Sequence, residues 1–399
     1  MDHQAAPQTD EQFRASARQW LADNFPVSLK GGKYILPHTQ EEGEKPGPDY
    51  LLWKGRIANK GWGVPTWPAR YGGGGLTTCQ AEILAEEMAR IGAFNPIGGL
   101  GVMMLGPTVL EFGTEEQKLR HVPPIARGEI EWCQGFSEPG AGSDLASLRT
   151  RCEDKGDHFL VNGQKIWTSF AHVSDWCFCL VRTDTSRKQA GISFLLIDMR
   201  TEGVEARPIS LINGVSHFCE TFFTDVKVPK ENLLGEVNAG WGIAKRLLQH
   251  ERNGLSSQRN VANVERGLPD LARAYVGTDD EGRIADADLR ARITAHMMRQ
   301  HAYGLTLRHR NAGIEAGLEG SAQMSVLKNL GARVAQDLNE LAVEILGIAG
   351  LGWEGPGYSE EELELTSGWL YSKCFSIYGG SHEVQNNITA KRVLALPSA

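Results

Sequence analysis

The stretch Gly135–Asp144, which reads GFSEPGAGSD, constrains this chain more than any other part of its sequence. Gly140 and Gly142 permit backbone conformations that a Cβ atom would exclude, and Pro139 fixes one φ angle. The two serines and the final aspartate add short hydrogen-bonding side chains beside exposed backbone amides. Such a loop suits a polar, planar or anionic ligand. For the stretch alone, a tight turn with an Asx-type cap is an equally good interpretation, since glycine-rich turns are common.

A second motif follows in Asn162–Ser169, which reads NGQKIWTS. The Asn-Gly pair predicts a two-residue hairpin turn, and the residues after it alternate as in a strand. A large ring, Trp167, and a small hydroxyl, Ser169, then share one short strand. Without the rest of the motif, Trp167 is better interpreted as an ordinary core aromatic residue.

The composition limits the class of protein. With 399 residues, 41% of them hydrophobic and 23% charged, the chain is typical of a soluble globular protein with more than one domain. No apolar run approaches the roughly 20 residues that span a bilayer, and the N-terminus lacks a secretory signal, so we expect a cytoplasmic protein. The net charge of −8 argues against a nucleic-acid-binding surface.

The seven cysteines form no zinc-like CxxC pair. We therefore expect reduced thiols and no metal site. Cys177 and Cys179 stand two residues apart in a predicted strand, which places both side chains on one face of it.

Hydrophobic periodicity predicts helices at both ends of the chain and strands between them. A capping box at Thr9 predicts a first helix, and Thr114 is predicted to begin another. We predict an N-terminal helical domain over residues 1–130, a β domain over 131–238 and a helical bundle over 239–399. The predicted strands include Phe159–Val161, Trp176–Val181, Ile192–Ile197 and Phe218–Phe223. One apolar helical stripe is predicted from Leu327, Leu330, Val334, Leu338, Leu341 and Ile345.

Together the two motifs resemble the flavin-binding signatures of the acyl-CoA dehydrogenase family, and the resemblance extends from about Trp62 to Leu396. It implies a mainly α fold with a central β domain: N-terminal helices, a middle β-barrel-like domain and a C-terminal four-helix bundle. It also implies FAD as cofactor, an acyl-CoA substrate and α,β-dehydrogenation to the trans-2-enoyl-CoA. An electron-transfer flavoprotein as acceptor and a homodimer or homotetramer are further implications of the family.

The resemblance assigns a role to each residue of the flavin motifs. It places Ser137 near the pyrimidine end of the flavin, Trp167 against the ring face and Ser169 near the reactive N5. Ser143 is placed near both the cofactor and the CoA phosphates of the substrate. A flavin needs such hydrogen-bond donors at its edge and an apolar wall beside its ring. Three further cofactor contacts are implied at Phe136, Ser381 and Glu383.

The family's usual catalytic base is missing. Most relatives carry a Tyr-Glu-Gly-Thr segment near the C-terminus, whereas this chain has Tyr378 followed by Gly379 at the substrate site. A glycine cannot abstract a proton. The next carboxylate, Glu383, corresponds to a flavin-contacting position and is a weak substitute.

Isovaleryl-CoA and long-chain members of the family take the base from the helix that opens the C-terminal bundle. In this sequence that position is Glu251, followed by Arg252, which in relatives contacts the acyl-CoA. A Glu-Arg pair on a helix is more often a solvated surface pair. The glycine at 379 favours the catalytic interpretation, because the chemistry needs a base and the missing side chain leaves room for one.

The sequence departs from the family pattern in two places that the resemblance assigns to the adenosine half of FAD. The Arg-x-x-Phe-Gly segment of relatives has no clear match in Leu271–Asp280, and Glu344 replaces a usual glutamine. Two alternatives to the dehydrogenase therefore stay open. One is a flavin oxidase or monooxygenase on the same fold, and the other is a base-deficient subunit paired with an active paralogue in a hetero-oligomer.

Overall fold

A computed structural model describes residues 8–32, 34–35, 46–257, 267–315 and 323–397. By contact density the chain divides into two compact units. The first comprises Met1–Ile209 and His217–His250, and the second comprises Ser210–Ser216 and Glu251–Ala399. No helix among the described residues is both long and apolar enough to span a membrane.

Capping boxes begin several N-terminal helices. The side chains of Thr9, Thr77 and Thr114 each accept a hydrogen bond from the backbone N–H three residues on, and the glutamine there bonds back to the cap. This confirms the helices predicted from Thr9 and Thr114, since the cap satisfies backbone donors that the first turn leaves free. The helices are α1 (Asp10–Asn24), α2 (Pro48–Lys60), α3 (Thr78–Ile91), α4 (Gly106–Phe112) and α5 (Glu115–Ala126).

A buried carboxylate joins α1 to α3. Glu87 of α3 is 2% exposed and accepts hydrogen bonds from Arg14, Arg18 and Arg90. The hydrogen bond from Arg18 contributes most to holding the pKa of Glu87 at about 2. A buried charge of this kind is tolerated only when it is fully paired.

The strands form one curled, mixed sheet. They are β1 (Trp132–Gly135), β2 (Arg151–Asp154), β3 (His158–Ser169), β4 (Trp176–Arg182), β5 (Ile192–Asp198), β6 (Val204–Ile209) and β7 (Phe218–Pro229). Antiparallel pairing joins β6 to β7, β7 to β3 and β3 to β2. β4 runs parallel to β1 and antiparallel to β5, and one bridge links it to β2. The four predicted strand segments are confirmed.

Strand β4 is buried on both faces. Phe178 and Leu180 belong to one core cluster, whereas Cys177 and Cys179 belong to another, on the opposite face of the strand. The prediction that both cysteine side chains lie on one face of the strand is confirmed, and both are fully buried.

The predicted hairpin turn at Asn162–Gly163 is wrong. β3 runs without interruption from His158 to Ser169, and its pairing with β7 only shifts register between Val161 and Gly163. The extra residue lies in β7 and makes a β-bulge in that strand. Glycine is required at position 163 because a Cβ atom there would come within 2.7 Å of Thr150.

The remaining helices are α6 (Gly240–Ser257), α7 (Leu268–Tyr275), α8 (Ala287–Glu315), α9 (Gln323–Leu346), α10 (Glu360–Ser372) and α11 (His382–Ile388), with α6 extending across the boundary at His250. The helices of the second unit pack around α9, which contacts α7, α8, α10 and α11. The predicted apolar stripe is confirmed at four positions, Leu327, Leu338, Leu341 and Ile345. Val334 is half-buried and Leu330 is 47% exposed.

Candidate active site

A bulge in β3 turns Trp167 away from the core. The register between β3 and β7 shifts again between Lys165 and Thr168, and Trp167 has a φ of 59°, in the left-handed region. Its indole ring is 53% exposed and touches Phe218 edge to face, with centroids 6.2 Å apart. A large aromatic residue in a strained backbone conformation and open to solvent is uncommon, and such strain concentrates at functional sites. The interpretation of Trp167 as a core residue is therefore wrong.

The glycine-rich loop lies directly beside this bulge. Glu138 and Ala141 close the turn through two backbone hydrogen bonds of 3.0 Å. The N–H of Ile166, released from the sheet ladder by the bulge, donates to the carbonyl of Ser137 at 2.9 Å. Ser137 is half-buried, and this hydrogen bond joins it to Ile166, the residue that precedes Trp167 in β3.

A buried ion pair joins the glycine-rich loop to β3. Lys165 is fully buried, and its Nζ donates to Glu138 Oε1 at 2.8 Å and to the Phe136 carbonyl at 3.1 Å. Glu138 also accepts from the backbone N–H groups of Arg149 and Thr150 and from the Thr150 hydroxyl. Burial alone would raise the pKa of Glu138, but Lys165 and the Thr150 donors hold it below its ordinary value. Nothing in the sequence marks this pair, because isolated charges in a sequence resemble surface residues.

The remaining flavin-motif residues differ in exposure. Ser169 is half-buried at the end of β3, where it pairs with Phe218 of β7, and Ser143 is exposed. The Phe136 side chain is buried and packs edge to face on the rings of Phe178 and Phe194. Any contact of Phe136 with a cofactor would therefore come from its backbone.

In the second unit, Gly379 and Gly380 form a tight turn before α11. Their φ values are 65° and 86°, which favour glycine at both positions. Gln385 Nε2 donates to the Gly379 carbonyl at 2.7 Å, and Lys328 Nζ donates to the Gly380 carbonyl at 2.6 Å. The glycine at the family's usual base position is thus fixed by backbone geometry.

Glu251 lies in the same region of this unit. It is half-buried near the middle of α6, and its negative charge acts on both Lys328 and the Tyr378 hydroxyl. Burial raises the pKa of Tyr378 far above its ordinary value, with smaller contributions from Tyr371, Cys374 and Glu251. Burial lowers the pKa of Lys328, and Glu251 is the largest of the groups that oppose this.

The other sequence-predicted residues of the second unit lie close by along the chain. Ser381 is the N-cap of α11 and accepts from the N–H of Val384 at 3.4 Å. Glu383 is exposed, and a hydrogen bond from Ser381 lowers its pKa. The side chain of Arg252 lies outside the described part of the chain.

The two departures at the adenosine end have structural explanations. Glu344 forms a two-pronged ion pair with the guanidinium of Arg292 on α8, which neutralises the extra negative charge. The segment that lacks the Arg-x-x-Phe-Gly pattern forms α7, where Leu271 is buried and Arg273 bonds Asp270 at 2.7 Å. Of these residues, Leu271 packs in the core of the helical unit.

The residues of the first unit fit a flavin. Trp167 supplies an exposed planar wall, and Ser137 and Ser169 supply hydroxyl groups on the segments that flank it. Isoalloxazine recognition needs these two elements, an apolar surface for the ring and donors for its polar edge. The fold and these residues are those expected of an FAD-dependent oxidoreductase.

Comparison with known protein families identifies the kind of oxidoreductase. The N-terminal, middle and C-terminal domain models of acyl-CoA dehydrogenases match residues 7–129, 133–226 and 238–394. The chain belongs to the acyl-CoA dehydrogenase family. This confirms the family, the fold class and FAD as the cofactor predicted from the sequence.

Relatives and solved structures are similar over the whole length. The chain is 38% identical to acyl-CoA dehydrogenase IpdE1 of Mycobacterium tuberculosis, covering 97% of this chain and 98% of the relative. Its fold matches the ChsE4-ChsE5 complex of Mycobacterium tuberculosis with a TM-score of 0.77 and 29% identity, over 100% of both chains. The Tcur3481-Tcur3483 steroid ACAD also gives a TM-score of 0.77, with 28% identity and 100% coverage of both chains.

Proposed function

We propose that this enzyme dehydrogenates an acyl-CoA thioester to the trans-2-enoyl-CoA, with Glu251 as the base that removes the α-proton. The observation that carries the proposal is the convergence, in one region, of the Glu251 charge, the half-buried Tyr378 and a turn with glycine at 379. Gly379 has no proton acceptor in its side chain. The reaction therefore needs a carboxylate from another element, and Glu251 is half-buried where Glu383 is exposed.

Proton removal next to a thioester requires a carboxylate within hydrogen-bond reach of the α-carbon. Tyr378 and Gly379 would border the reacting carbons, and the absence of a side chain at 379 would leave space for Glu251. Lys328 would hold the turn in place through the Gly380 carbonyl.

On the flavin side, Trp167 would support the ring face, while Ser137 and Ser169 would donate hydrogen bonds to the pyrimidine edge and near N5. When bound, FAD supplies the hydride acceptor for the β-carbon. Ser381, Glu383 and the backbone of Phe136 are further proposed cofactor contacts. Ser143 and Arg252 are proposed contacts of the CoA part of the substrate.

The acyl group, the acceptor and the assembly are also proposals. Bulky cyclic acyl chains suit a site without a side chain at 379, and the similarity to a structure described as a steroid ACAD supports them. We propose an electron-transfer flavoprotein as acceptor by analogy with the family. We propose a homodimer or homotetramer, and domain boundaries at 130 and 238.

A second candidate is a subunit that acts only together with a paralogue. It is favoured by the glycine at 379 and by the likeness to ChsE4-ChsE5, which is described as a complex. In that case the purified chain would bind acyl-CoA or FAD weakly, or fail to turn over, until the second chain is supplied.

Anaerobic titration of the purified flavoprotein with linear, branched and polycyclic acyl-CoA thioesters tests the function. Bleaching of the flavin by one class would identify the substrate, and no bleaching without a co-expressed paralogue would favour the second candidate. Reduced enzyme that reoxidises rapidly in air and releases hydrogen peroxide would instead indicate the oxidase.

Glu251→Gln tests the base, with Glu383→Gln as its matched control. Glu251→Gln keeps the shape of the side chain and should lose most of the reductive half-reaction while still binding FAD and acyl-CoA. Glu383→Gln should retain much more of it. Bleaching of Glu251→Gln at the parent rate would overturn the assignment. Gly379→Glu in the Glu251→Gln background should restore some activity, limited by the left-handed φ at 379.

A further inference from the structure

The buried pair Glu138–Lys165 connects consecutive residues of the flavin loop to consecutive residues of β3. The Phe136 carbonyl accepts from Lys165 Nζ, the Ser137 carbonyl accepts from the Ile166 N–H, and the Glu138 carboxylate accepts from Lys165 Nζ. Ser137 is therefore held on both sides. Trp167 follows Lys165 and Ile166 directly in the strand, so the same hydrogen bonds position both proposed flavin contacts, Ser137 and Trp167.

The hydrogen bonds of the pair go mainly to backbone groups of the loop. Glu138 Oε1 is 2.8 Å from the Thr150 nitrogen and 2.6 Å from the Thr150 hydroxyl, while Oε2 is 2.6 Å from the Arg149 nitrogen. Both ends of the loop, at 136 and at 149–150, thus converge on one carboxylate and one ammonium. Arg182, also buried, donates from its guanidinium to the carbonyls of Ala146 and Leu148 and holds the intervening turn.

Global stability is a poor explanation for this arrangement. Lys165 is 0% and Glu138 8% exposed. Removing two charges from water offsets most of their attraction, so apolar residues of similar volume often stabilise a fold as well or better. A fully hydrogen-bonded buried network does, however, specify one conformation of the segments it joins.

We propose that Glu138 and Lys165 are positioning residues that hold Ser137 and Trp167 in the geometry that binds FAD, and that their main effect is on cofactor affinity. This inference rests on the proposed flavin contacts of Ser137 and Trp167. The pair itself is buried behind the loop and acts on the cofactor only through Ser137 and Trp167.

Paired variants separate positioning from folding. Lys165→Met leaves Glu138 buried without its cation, so it should lower the thermal midpoint and raise the Kd for FAD about tenfold or more. Adding Glu138→Gln removes the unpaired charge and should recover most of the thermal midpoint. The Kd for FAD should stay high in the double variant, because the Phe136 carbonyl still lacks its ammonium donor.

The measurement is calorimetric titration of deflavinated protein with FAD, alongside thermal unfolding of the same samples and visible circular dichroism of the bound flavin. Glu87→Gln is the matched control, since it disturbs another buried carboxylate in the α1–α3 contact. It should lower the thermal midpoint and leave the Kd unchanged. If the lysine variants do not fold, Thr150→Val removes one hydroxyl bond to Glu138 and should still raise the Kd severalfold.

The outcomes separate this inference from the site on which it rests. Recovery of both the midpoint and the Kd in the double variant would show that the pair is only structural. A parent Kd in every variant of the pair, with Trp167→Ala weakening FAD, would overturn the positioning role alone. A parent Kd in Trp167→Ala itself would overturn the proposed flavin contacts.

Discussion

Replacing His121 by phenylalanine should make the protein less sensitive to mild acid. His121 lies on α5 and is 2% exposed, and its ring meets those of Trp132 and Trp176 edge to face at centroid distances of 5.3 and 5.0 Å. Burial, assisted by the charge of Arg120, lowers the pKa of His121 from 6.5 to about 4. An imidazolium enclosed by these rings would lose its hydration, so the folded state keeps the neutral form.

Proton linkage then lowers stability in acid. Above pH 6.5 the imidazole is neutral in both states and the free energy of unfolding is unaffected. As the pH falls from 6.5 towards 4, the unfolded chain binds a proton that the folded protein does not. The full difference corresponds to about 3 kcal/mol, of which about 2 kcal/mol accrues between pH 7.5 and pH 5.

Glu131 acts in the opposite direction. Burial raises the pKa of Glu131 to about 7, with Lys54 lowering it and Asp175 raising it further. Its contribution to stability is therefore present below its unfolded value of 4.5 and is lost as the pH rises through 7. The two effects oppose each other in the parent, so only a comparison with the His121→Phe variant isolates the histidine.

Urea unfolding followed by far-ultraviolet circular dichroism at pH 7.5 and pH 5 measures the effect. On moving to pH 5, the free energy of unfolding of His121→Phe should change more favourably than that of the parent by about 2 kcal/mol. On the same move to pH 5, the free energy of unfolding of Glu131→Gln should change less favourably than that of the parent. Equal changes in the parent and in His121→Phe would refute the argument, since they would mean that the folded protein protonates His121 normally.

Ser169→Val should slow flavin reduction more than it lowers thermal stability, because one hydrogen bond in a buried site contributes about 1–3 kcal/mol; unchanged stopped-flow reduction rates would show that Ser169 is only a strand residue. Gly379→Ala should lower the free energy of unfolding by about 1–2 kcal/mol, because its φ of 65° is left-handed, and an unchanged urea midpoint would contradict that strain. Lys328→Met should move the pH dependence of flavin reduction to higher pH, because a nearby cation favours the ionised carboxylate of the proposed base; a profile like that of the parent would exclude this coupling. Glu87→Gln should lower stability at neutral pH but little near pH 2, because the paired carboxylate stabilises the fold above pH 4.5 and this contribution is lost as the pH falls through about 2. Thermal unfolding measures both losses, and equal losses at the two pH values would argue against an ionised Glu87.

Local signals in the sequence predicted the helix starts well. The capping boxes at Thr9 and Thr114 need only four consecutive residues, so no distant contact can hide them. The family resemblance predicted the fold and the cofactor, and it also led to Trp167, which periodicity alone would have assigned to the core. Its exposure depends on a bulge that forms only when β3 pairs with the distant strand β7.

The failures have the same origin in long-range contacts. Asn162–Gly163 has the composition of a hairpin turn, but β7 offers β3 a partner along its whole length, and Thr150 occupies the space that a side chain at 163 would need. Lys165 and Glu138 stand far apart in sequence and look like surface charges, although they form one buried pair. Leu330 fits a helical stripe, yet the neighbouring helices do not cover it.

The loop between β6 and β7 has a consequence for exchanging parts between relatives. Residues Ser210–Ser216 belong to the second compact unit, where Asn213 Nδ2 lies 3.3 Å from Ser367 Oγ and Gly214 faces the ring of Trp353. Neither unit is therefore one continuous piece of the gene. A chimera that joins a relative's chain up to residue 239 to the C-terminal part of this chain would place the relative's loop against Trp353. A chimera that also takes residues 210–216 from this chain keeps the contact and should be the more stable hybrid.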